Sequence, residues 1–236
     1  MFKVSVDGTK LGVAINVMKS YVREGFIHFD NPTEMFFRGM DIAMVGIVEC
    51  KLKCVCEGEP RSIAMEFDQL PSDMSGPIVL EIDQRMVVSF GRVTHKIDLL
   101  HPSTVHKVGE PKVPFQVVFD LPASELYLGF KEVTKKLDTK DTSAGVRLTW
   151  GGGEFVIEDS NQNKIDVTYD KSELNVRTDC QETLATILPA DYVRNMVNSL
   201  PKFQRAIVAF GLNMPVSVGV NGDQIGAGWL TSNRVL

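Results

Sequence analysis

The sequence contains few of the residues that mark secreted, membrane-bound or disulfide-rich proteins. Only 4 of its 236 residues are cysteine, too few and too clustered for the disulfide framework of a small secreted domain. No apolar run approaches the ~20 residues that a membrane-spanning helix needs. The chain enters a predicted strand directly after Met1, without an apolar signal segment. We therefore expect a soluble, intracellular protein with no membrane partner.

Signatures of catalysis and of cofactor binding are also missing. The sequence has neither the GxSxG of a nucleophile elbow nor the HExxH of a zinc protease. Its run Gly151-Gly152-Gly153 lacks the Lys-Ser/Thr of a phosphate-binding loop and is typical of a turn between strands. We expect no catalytic residue, no metal and no cofactor in a protein that is not an enzyme.

Three cysteines, Cys50, Cys54 and Cys56, lie close together and raise the alternative of a zinc site. Their spacing contains no CxxC pair, and no second pair or nearby histidine couplet completes four ligands. Cys54 and Cys56 would share one face of a strand, where cysteine behaves as a small apolar residue. Packing is the favoured interpretation.

Apolar residues make up 44% of the chain, and their pattern occurs twice. A strand at 2–6 leads into a predicted helix at 10–24, and a strand at 115–119 leads into a predicted helix at 124–137. Both helices place apolar residues at i, i+4, i+7 and i+11, with copies about 115 residues apart, which indicates a duplicated domain rather than a short repeat. These apolar positions are Leu11, Ile15, Met18 and Val22, then Leu126, Phe130, Val133 and Leu137.

Further elements surround this repeated plan. A weak helical pattern covers 63–74, and a stronger helix opens at Pro189 and is ended by Pro201. Alternating or short apolar runs predict additional strands. These lie at 26–29, 35–37, 42–53, 78–82, 86–90, 93–99, 145–150, 154–157, 164–169, 174–178, 206–210, 216–220 and 228–230.

A proline-rich segment at 101–114 separates the two copies. It holds three prolines in fourteen positions, which remove backbone donors and fix φ, so neither a helix nor a central strand can run through it. We therefore predict an N-terminal domain at 1–100, an extended connector at 101–114 and a C-terminal domain at 115–236.

The charge distribution is uneven along the chain. The formal net charge is −5, yet the polar faces or ends of three of the four predicted helices are basic. A solvated surface would explain such faces, and so would contact with duplex DNA, which carries one charge per ~1.7 Å of its axis. The helix predicted at 63–74 carries acidic residues and does not fit the DNA interpretation.

The duplication, the connector and the basic helix faces together resemble the DNA sliding clamps of the proliferating cell nuclear antigen (PCNA) family. The most specific feature is Gly39-Met40-Asp41, where a strand runs into a Met-Asp pair as in the family. The resemblance covers nearly the whole chain. It departs from the family at 230–235, where aromatic residues and an Ala-Pro pair are usual, and in the connector, which is less apolar. The segments that carry it are 35–41, 43–45, 96–99, 213–218 and 226–235.

The resemblance implies an α+β fold of two similar β-α-β clamp domains, with helices on one face of curved antiparallel sheets. Three such subunits would close head to tail into a ring, most simply a homotrimer, with helices inside and sheets outside. Edge strands of neighbouring subunits would pair and so cover each other. The implied interface residues are Val93, His95 and Ile97 on one edge, and Lys164, Asp166 and Thr168 on the other.

The implied function is that of a processivity factor in DNA replication and repair. Such a ring encircles double-stranded DNA without reading its sequence, is placed there by a clamp loader, and tethers DNA polymerase and other proteins with a clamp-binding motif. The DNA-facing residues would be Lys10, Lys19, Arg23, Lys131, Lys135, Lys136, Lys140, Arg194, Lys202 and Arg205. The partner-peptide pocket, beneath the connector, would be lined by Met40, Val45, Val108, Val113, Pro215, Leu230 and Ser232.

Two alternatives stay open at this point. One is a subunit of a heterotrimeric or checkpoint-type clamp. The other, from a different class, is a monomeric peptide-binding or zinc-binding module that does not encircle DNA. A clamp would work in the cytoplasm or nucleoid of an archaeon, or in the nucleus if its source is eukaryotic or viral.

Overall fold

The computed structural model describes residues 1–135, 137, 144–160, 165–202 and 204–233. Within these ranges the chain divides into two compact units. The first unit groups residues Met1 to Gly109 with Gly222 to Ala227, and the second groups residues Glu110 to Asn221 with those from Gly228 onward.

The first unit contains two antiparallel sheets and one α-helix among its described residues. One sheet has the strand order β5-β1-β7-β8-β9, and the other contains the neighbours β4-β3-β2-β6. The elements are β1 (Phe2–Asp7), α1 (Gly8–Lys19), β2 (Glu24–Asn31), β3 (Glu34–Met40), β4 (Gly46–Lys53), β5 (Val55–Glu57), β6 (Arg61–Glu66), a 3₁₀ turn (Phe67–Gln69), β7 (Pro77–Ile82), β8 (Arg85–Phe90) and β9 (Val93–Asp98).

Helix α1 forms where the apolar spacing predicts it. The Asp7 side chain caps its first turn by accepting a hydrogen bond from the Lys10 backbone N–H at 3.1 Å. Leu11, Ile15 and Met18 are at most 1% exposed and form the buried face of the helix. The helix ends at Lys19, five residues earlier than predicted, because Glu24 already pairs in β2.

The helix predicted at 63–74 is wrong. Residues 61–66 form strand β6, in which Ile63 pairs with Ile27 of β2, and only a short 3₁₀ turn follows. Ile63, Phe67, Leu70 and Met74 have the spacing of a helix face, and all four are buried. These four residues are buried from a strand, a turn and a loop rather than from a helix. The segment forms a strand because β2 supplies its hydrogen-bond partners, and local apolar spacing does not show such partners.

The second unit also contains two antiparallel sheets, with the neighbours β13-β12-β11-β15 in one and β14-β10-β16-β17 in the other. Strand β15 was not predicted from the sequence. The elements are β10 (Val117–Pro122), α2 (Ala123–Thr134), β11 (Gly145–Gly151), β12 (Glu154–Asp159), β13 (Asp166–Asp170), a 3₁₀ turn (Lys171–Glu173), β14 (Asn175–Val176), β15 (Leu184–Pro189), α3 (Ala190–Ser199), β16 (Arg205–Phe210) and β17 (Val216–Asn221). The last strand, β18 (Ile225–Thr231), begins in residues grouped with the first unit and ends in the second.

Helices α2 and α3 pack against each other and against the sheets of this unit. Leu126, Phe130 and Val133 of α2 are fully buried. Gly129 lies over the Tyr169 hydroxyl, and a Cβ at this position would collide with it. That hydroxyl donates a 2.8 Å hydrogen bond to the Glu125 carbonyl and thereby ties α2 to β13.

The α+β fold class is therefore confirmed. Each unit opens with a strand that leads into a helix, and each covers its helix with antiparallel sheet. The two units differ in their second helix: the second unit has α3, whereas the described residues of the first unit have only the 3₁₀ turn at Phe67–Gln69.

Candidate functional site

A hydrogen-bonded loop follows the Met40-Asp41 pair of the first unit. The Asp41 carboxylate accepts hydrogen bonds from the backbone N–H groups of Ala43 (3.2 Å), Val45 (2.8 Å) and Gly46 (2.6 Å). The Asp41 N–H in turn donates to the Gly46 carbonyl at 3.0 Å. One carboxylate therefore accepts hydrogen bonds from three backbone amides and stabilises the turn at residues 41–46. We call this segment the Asp41 loop.

The Asp41 loop presents two large apolar side chains to solvent. Ile42 is 90% exposed and Met44 is 61% exposed. Met44 has a φ of +57°, in the left-handed region, which is uncommon for residues other than glycine. A strained, well-bonded loop that displays apolar side chains is typical of a binding surface.

The beginning of the connector is bound to the same unit. The Leu100 N–H donates a 2.9 Å hydrogen bond to the Ala64 carbonyl. Val105 is 5% exposed and packs in a small cluster with Phe26 and Ala64. Further along, the Arg38 guanidinium donates to the Val108 carbonyl at 3.5 Å. Residues 100–108, which we call the wall, therefore contact the first unit at Leu100, Val105 and Val108.

A pocket of about 360 Å³ lies between the Asp41 loop and this wall. We call it the connector pocket. Its apolar lining comes from Met40, Ile42, Met44 and Val105. Its charged lining comes from Arg23, Glu24, Asp41 and Lys107. Ser103, Thr104 and His106 complete the lining. A pocket that mixes apolar side chains with polar and charged ones suits a short peptide with both kinds of side chain.

The predicted pocket residues divide between the two units. Met40 lines the connector pocket, whereas Val45 lies in the Asp41 loop and Val108 lies in the wall, and neither reaches the lining. The remaining four belong to the second unit, and each is half-buried: Val113, Pro215, Leu230 and Ser232.

Sequence reasoning missed Ile42 and Met44. The signal was available, since two large apolar residues directly follow an aspartate that can organise a turn. The alternation into 46–53 instead assigned residue 42 to a strand.

Strand β9 is an open edge of its sheet. Within the described residues it pairs with β8 alone, and Val93 is 46% exposed. His95 is half-buried and stacks on Phe90, with 5.5 Å between the ring centroids, and Ile97 is buried. The exposed Asp98 carboxylate of this strand is paired with Arg85 at 2.7 Å. Two exposed basic residues are also present, Lys96 in the strand and Arg92 in the turn before it.

In the described part of the second unit, strand β13 is at an edge of its sheet. It pairs with β12, and Asp166, Thr168 and Asp170 point their exposed side chains outward. The Thr168 hydroxyl lies 3.4 Å from the Asp166 carboxylate. This edge is acidic, whereas the β9 edge carries basic residues. Lys164, predicted for the same edge, lies outside the described residues.

Three of the predicted DNA-facing residues donate to backbone carbonyl groups or to a buried carboxylate of the chain. The Lys19 ammonium donates to the Leu70 carbonyl at 2.9 Å. The Arg194 guanidinium donates to the Leu137 carbonyl at 2.7 Å, near the end of α2. Arg205 binds the buried carboxylate of Asp120. These contacts give each of the three a structural role, and their DNA contact stays a prediction.

Other residues of the predicted DNA-facing set lie at or near the surface. Lys10 is 3.2 Å from the Gln224 side-chain oxygen, and Arg23 is 3.7 Å from Glu66. Lys135 pairs with Glu132 at 2.5 Å. Lys136 and Lys140 lie outside the described residues.

Two further lysines of that set, Lys131 and Lys202, meet at one aromatic ring. The Lys202 ammonium lies 3.6 Å from the ring centroid of Tyr127, and the Lys131 ammonium lies 5.1 Å from it. Interactions with the ammonium groups of Lys131 and Lys202 lower the pKa of the Tyr127 phenol. We call these three residues the Tyr127 cluster.

The cysteines have the environment of packed side chains. Cys50 is 1% exposed and Cys54 is 8% exposed, and burial raises the pKa of both thiols. The Cys54 and Cys56 sulfurs are 3.4 Å apart. Across the ranges that the structure covers, no group of three or more His, Cys, Asp or Glu residues is placed to hold a metal ion.

No helix in the described part of the chain is long and apolar enough to cross a membrane. No protein-family model and no curated protein sequence matches the chain. Its structure, however, resembles solved structures of PCNA along its whole length.

Three of these solved structures illustrate the likeness. PCNA of A. fulgidus, solved with the bound C-terminal region of FEN-1, is 18% identical, with coverage of 100% of this chain and 99% of that chain and a TM-score of 0.86. PCNA of Thermococcus kodakaraensis is 15% identical, with coverage of 99% and 100% and a TM-score of 0.81. The PCNA2–PCNA3 complex of Sulfolobus tokodaii gives 12% identity, 99% coverage of both chains and a TM-score of 0.72.

These values confirm the resemblance at the level of the fold. The chain has the sliding-clamp fold from end to end, at sequence identities that mark it as divergent from these three proteins.

Proposed function

We propose that this protein is a DNA sliding clamp, a non-enzymatic ring that encircles duplex DNA and tethers DNA polymerase and other replication and repair proteins. The observation that carries the proposal is the match to PCNA over the full length of both chains. A clamp loader would open the ring on DNA, and the protein would act inside the cell, wherever its genome is replicated.

Assembly from copies of this one chain is supported by two of its edge strands, β9 and β13. Strand β9 exposes Lys96, with Arg92 exposed in the turn just before it, and strand β13 exposes Asp166 and Asp170. Opposite charges on the two edges favour head-to-tail pairing of identical subunits, because each edge meets its complement and the ring can close. A homotrimer is therefore our proposal, even though one structural relative is a complex of two different PCNA chains.

The connector pocket is our proposed docking site for partner peptides. One structural relative is PCNA with the C-terminal region of FEN-1 bound to it. In this chain the pocket offers apolar anchoring sites beside an exposed Ile42 and Met44. An extended peptide with two or three apolar side chains would bury them there.

Two measurements test the clamp function. Light scattering should find a trimer, and purified protein should be retained on a nicked circular duplex but lost when that duplex is linearised, since a ring slides off free ends. A strict monomer at every concentration, or equal retention on both forms of the DNA, would contradict the proposal.

Charge reversal at Lys131 and Lys135 should reduce stimulation of polymerase without unfolding the protein.

A further inference from the structure

The Tyr127 cluster brings together groups from two separate elements of the second unit. Tyr127 and Lys131 are one turn apart on α2. Lys202 comes from the segment after α3, and its ammonium lies over the face of the Tyr127 ring at 3.6 Å. Two positive charges are therefore gathered around one phenol, although like charges repel when nothing holds them together.

We propose that Tyr127 is a positioning residue that holds Lys131 and Lys202 together as a contact for phosphate groups of the DNA backbone. This inference rests on the proposed clamp function and extends it, because Tyr127 carries no charge and is not among the residues that a search for basic side chains would select.

The physical reason is preorganisation. A free lysine side chain samples many rotamers, and fixing it on a ligand costs side-chain entropy. The ring face attracts an ammonium group and restricts these rotamers before DNA arrives. The Tyr127 hydroxyl adds a donor of the kind that contacts phosphate oxygens. Both ammonium groups lie against the ring in the absence of DNA, at 5.1 Å and 3.6 Å from its centroid, and their proximity lowers the pKa of the phenol.

The ligand chemistry is a phosphate oxygen anion, which either a DNA backbone or a small free phosphate could supply. A contact that lets the protein slide must be weak and independent of sequence, and two lysines held on the Tyr127 side chain meet both conditions. We assign the DNA backbone as the source, because it presents phosphates at regular intervals to a ring that surrounds it.

The test compares Tyr127→Ala, Tyr127→Phe, Lys202→Ala and the double variant Tyr127→Ala/Lys202→Ala with the wild type. Binding of a short linear duplex, whose ends let rings thread, is measured by fluorescence anisotropy over a range of salt concentrations. Leu128→Ala is the matched control, because Leu128 is a neutral, 48% exposed residue of the same helix. Inorganic pyrophosphate is titrated separately as the small-phosphate probe.

We expect Tyr127→Ala to weaken duplex binding about two- to fivefold, the size of an exposed cation–π contact, with no change in net charge. Tyr127→Phe should restore binding to within about twofold, since it keeps the ring face. The affinity of the double variant should fall by less than the product of the two single-variant factors, because both substitutions remove the same contact. If Tyr127 acted only through folding, we would not expect this coupling. Lys202→Ala should also reduce the salt dependence by about one unit of slope.

Different results would overturn different claims. If Tyr127→Ala binds duplex as the wild type does while Lys202→Ala binds it more weakly, the lysines work without the ring and only the role of Tyr127 fails. If pyrophosphate binding depends on the cluster and duplex binding does not, the assignment to DNA fails. If the wild type neither forms rings nor binds duplex, the clamp function itself fails.

Discussion

The guanidinium of Arg205 is hydrogen-bonded to the carboxylate of Asp120, whose side chain is only 3% exposed. Arg177 and Asn175 donate to the same carboxylate, at 3.0 Å and 2.8 Å. A buried charge is tolerated only when it is paired and hydrogen-bonded. Arg205 therefore neutralises an acid inside the second unit, and strands β10, β14 and β16 are joined through that acid.

Replacing Arg205 by Ala should destabilise the second unit by about 1–3 kcal/mol, because the buried carboxylate loses a charged donor and retains only Arg177 and Asn175. Urea denaturation followed by circular dichroism measures this change. Arg85→Ala is the control, since Arg85 pairs with Asp98 at the surface and its loss should cost about 0.5 kcal/mol or less. Equal effects of the two substitutions would contradict the structural role of Arg205.

Stability should also fall in acid through Asp120. Burial by itself would raise the pKa of this carboxyl, but hydrogen bonds from Arg205 and Arg177 outweigh it and hold the pKa below its ordinary value. A carboxyl whose pKa is lower in the folded state stabilises the fold above the unfolded pKa of about 3.9. That stabilisation is lost as the pH falls through the folded pKa.

The matched variant for this effect is Asp120→Asn, which cannot titrate. It should be less stable than the wild type at neutral pH, and the gap between the two should narrow as the pH falls from about 6 to about 3. Urea denaturation at several pH values measures both curves. Parallel curves over this range would show that Asp120 does not carry the effect.

In the Asp41 loop, a substitution of Ile42 should affect the binding of partner peptides without affecting the stability of the fold. Ile42→Ser should leave the free energy of unfolding within about 0.5 kcal/mol of the wild type, because Ile42 is 90% exposed. It should weaken binding of a clamp-binding-motif peptide by about five- to thirtyfold, the loss expected for a buried apolar anchor.

Fluorescence anisotropy with a labelled peptide measures the affinity. Val55→Ser serves as the control, since Val55 is also apolar and 58% exposed in the first unit but does not line the connector pocket. A similar loss in both variants would mean that Ile42 has no specific role in docking.

The open edge of β9 predicts the effect of a single proline on assembly. Phe90 pairs with Val93 across a two-residue turn at Gly91-Arg92, and Gly91 has a φ of +57°. The pair that flanks such a turn exchanges its hydrogen bonds, so the N–H groups of alternate residues, including Thr94, face the free edge.

Thr94→Pro should therefore leave the β8–β9 ladder largely intact and remove one donor from the edge, which should weaken association about tenfold or more. Thr94→Ala keeps that donor and should assemble normally. Light scattering and sedimentation measure the subunit association, and thermal melting checks the fold. Full assembly of the proline variant would exclude β9 as the pairing edge.

Local pattern was sufficient for the helices that pack by one face. The apolar spacing of Leu126, Phe130 and Val133 predicted α2 because a helix repeats every 3.6 residues, and the same residues are fully buried in the structure. It failed at 63–74, where Ile63 pairs in a sheet with Ile27, thirty-six residues away in sequence. A strand is stabilised by such distant partners, which periodicity does not record.

The sequence by itself determined the duplicated plan, the connector and the likeness to sliding clamps, since these depend on residue order and short-range spacing. The tertiary structure alone decided which basic residues have intramolecular partners and which meet on Tyr127. Arg205 and Asp120 are 85 positions apart, and Arg194 and Leu137 are 57 apart. Contacts over such separations depend on strand register and helix packing, so charge in a sequence predicts a surface but does not identify the partner of each side chain.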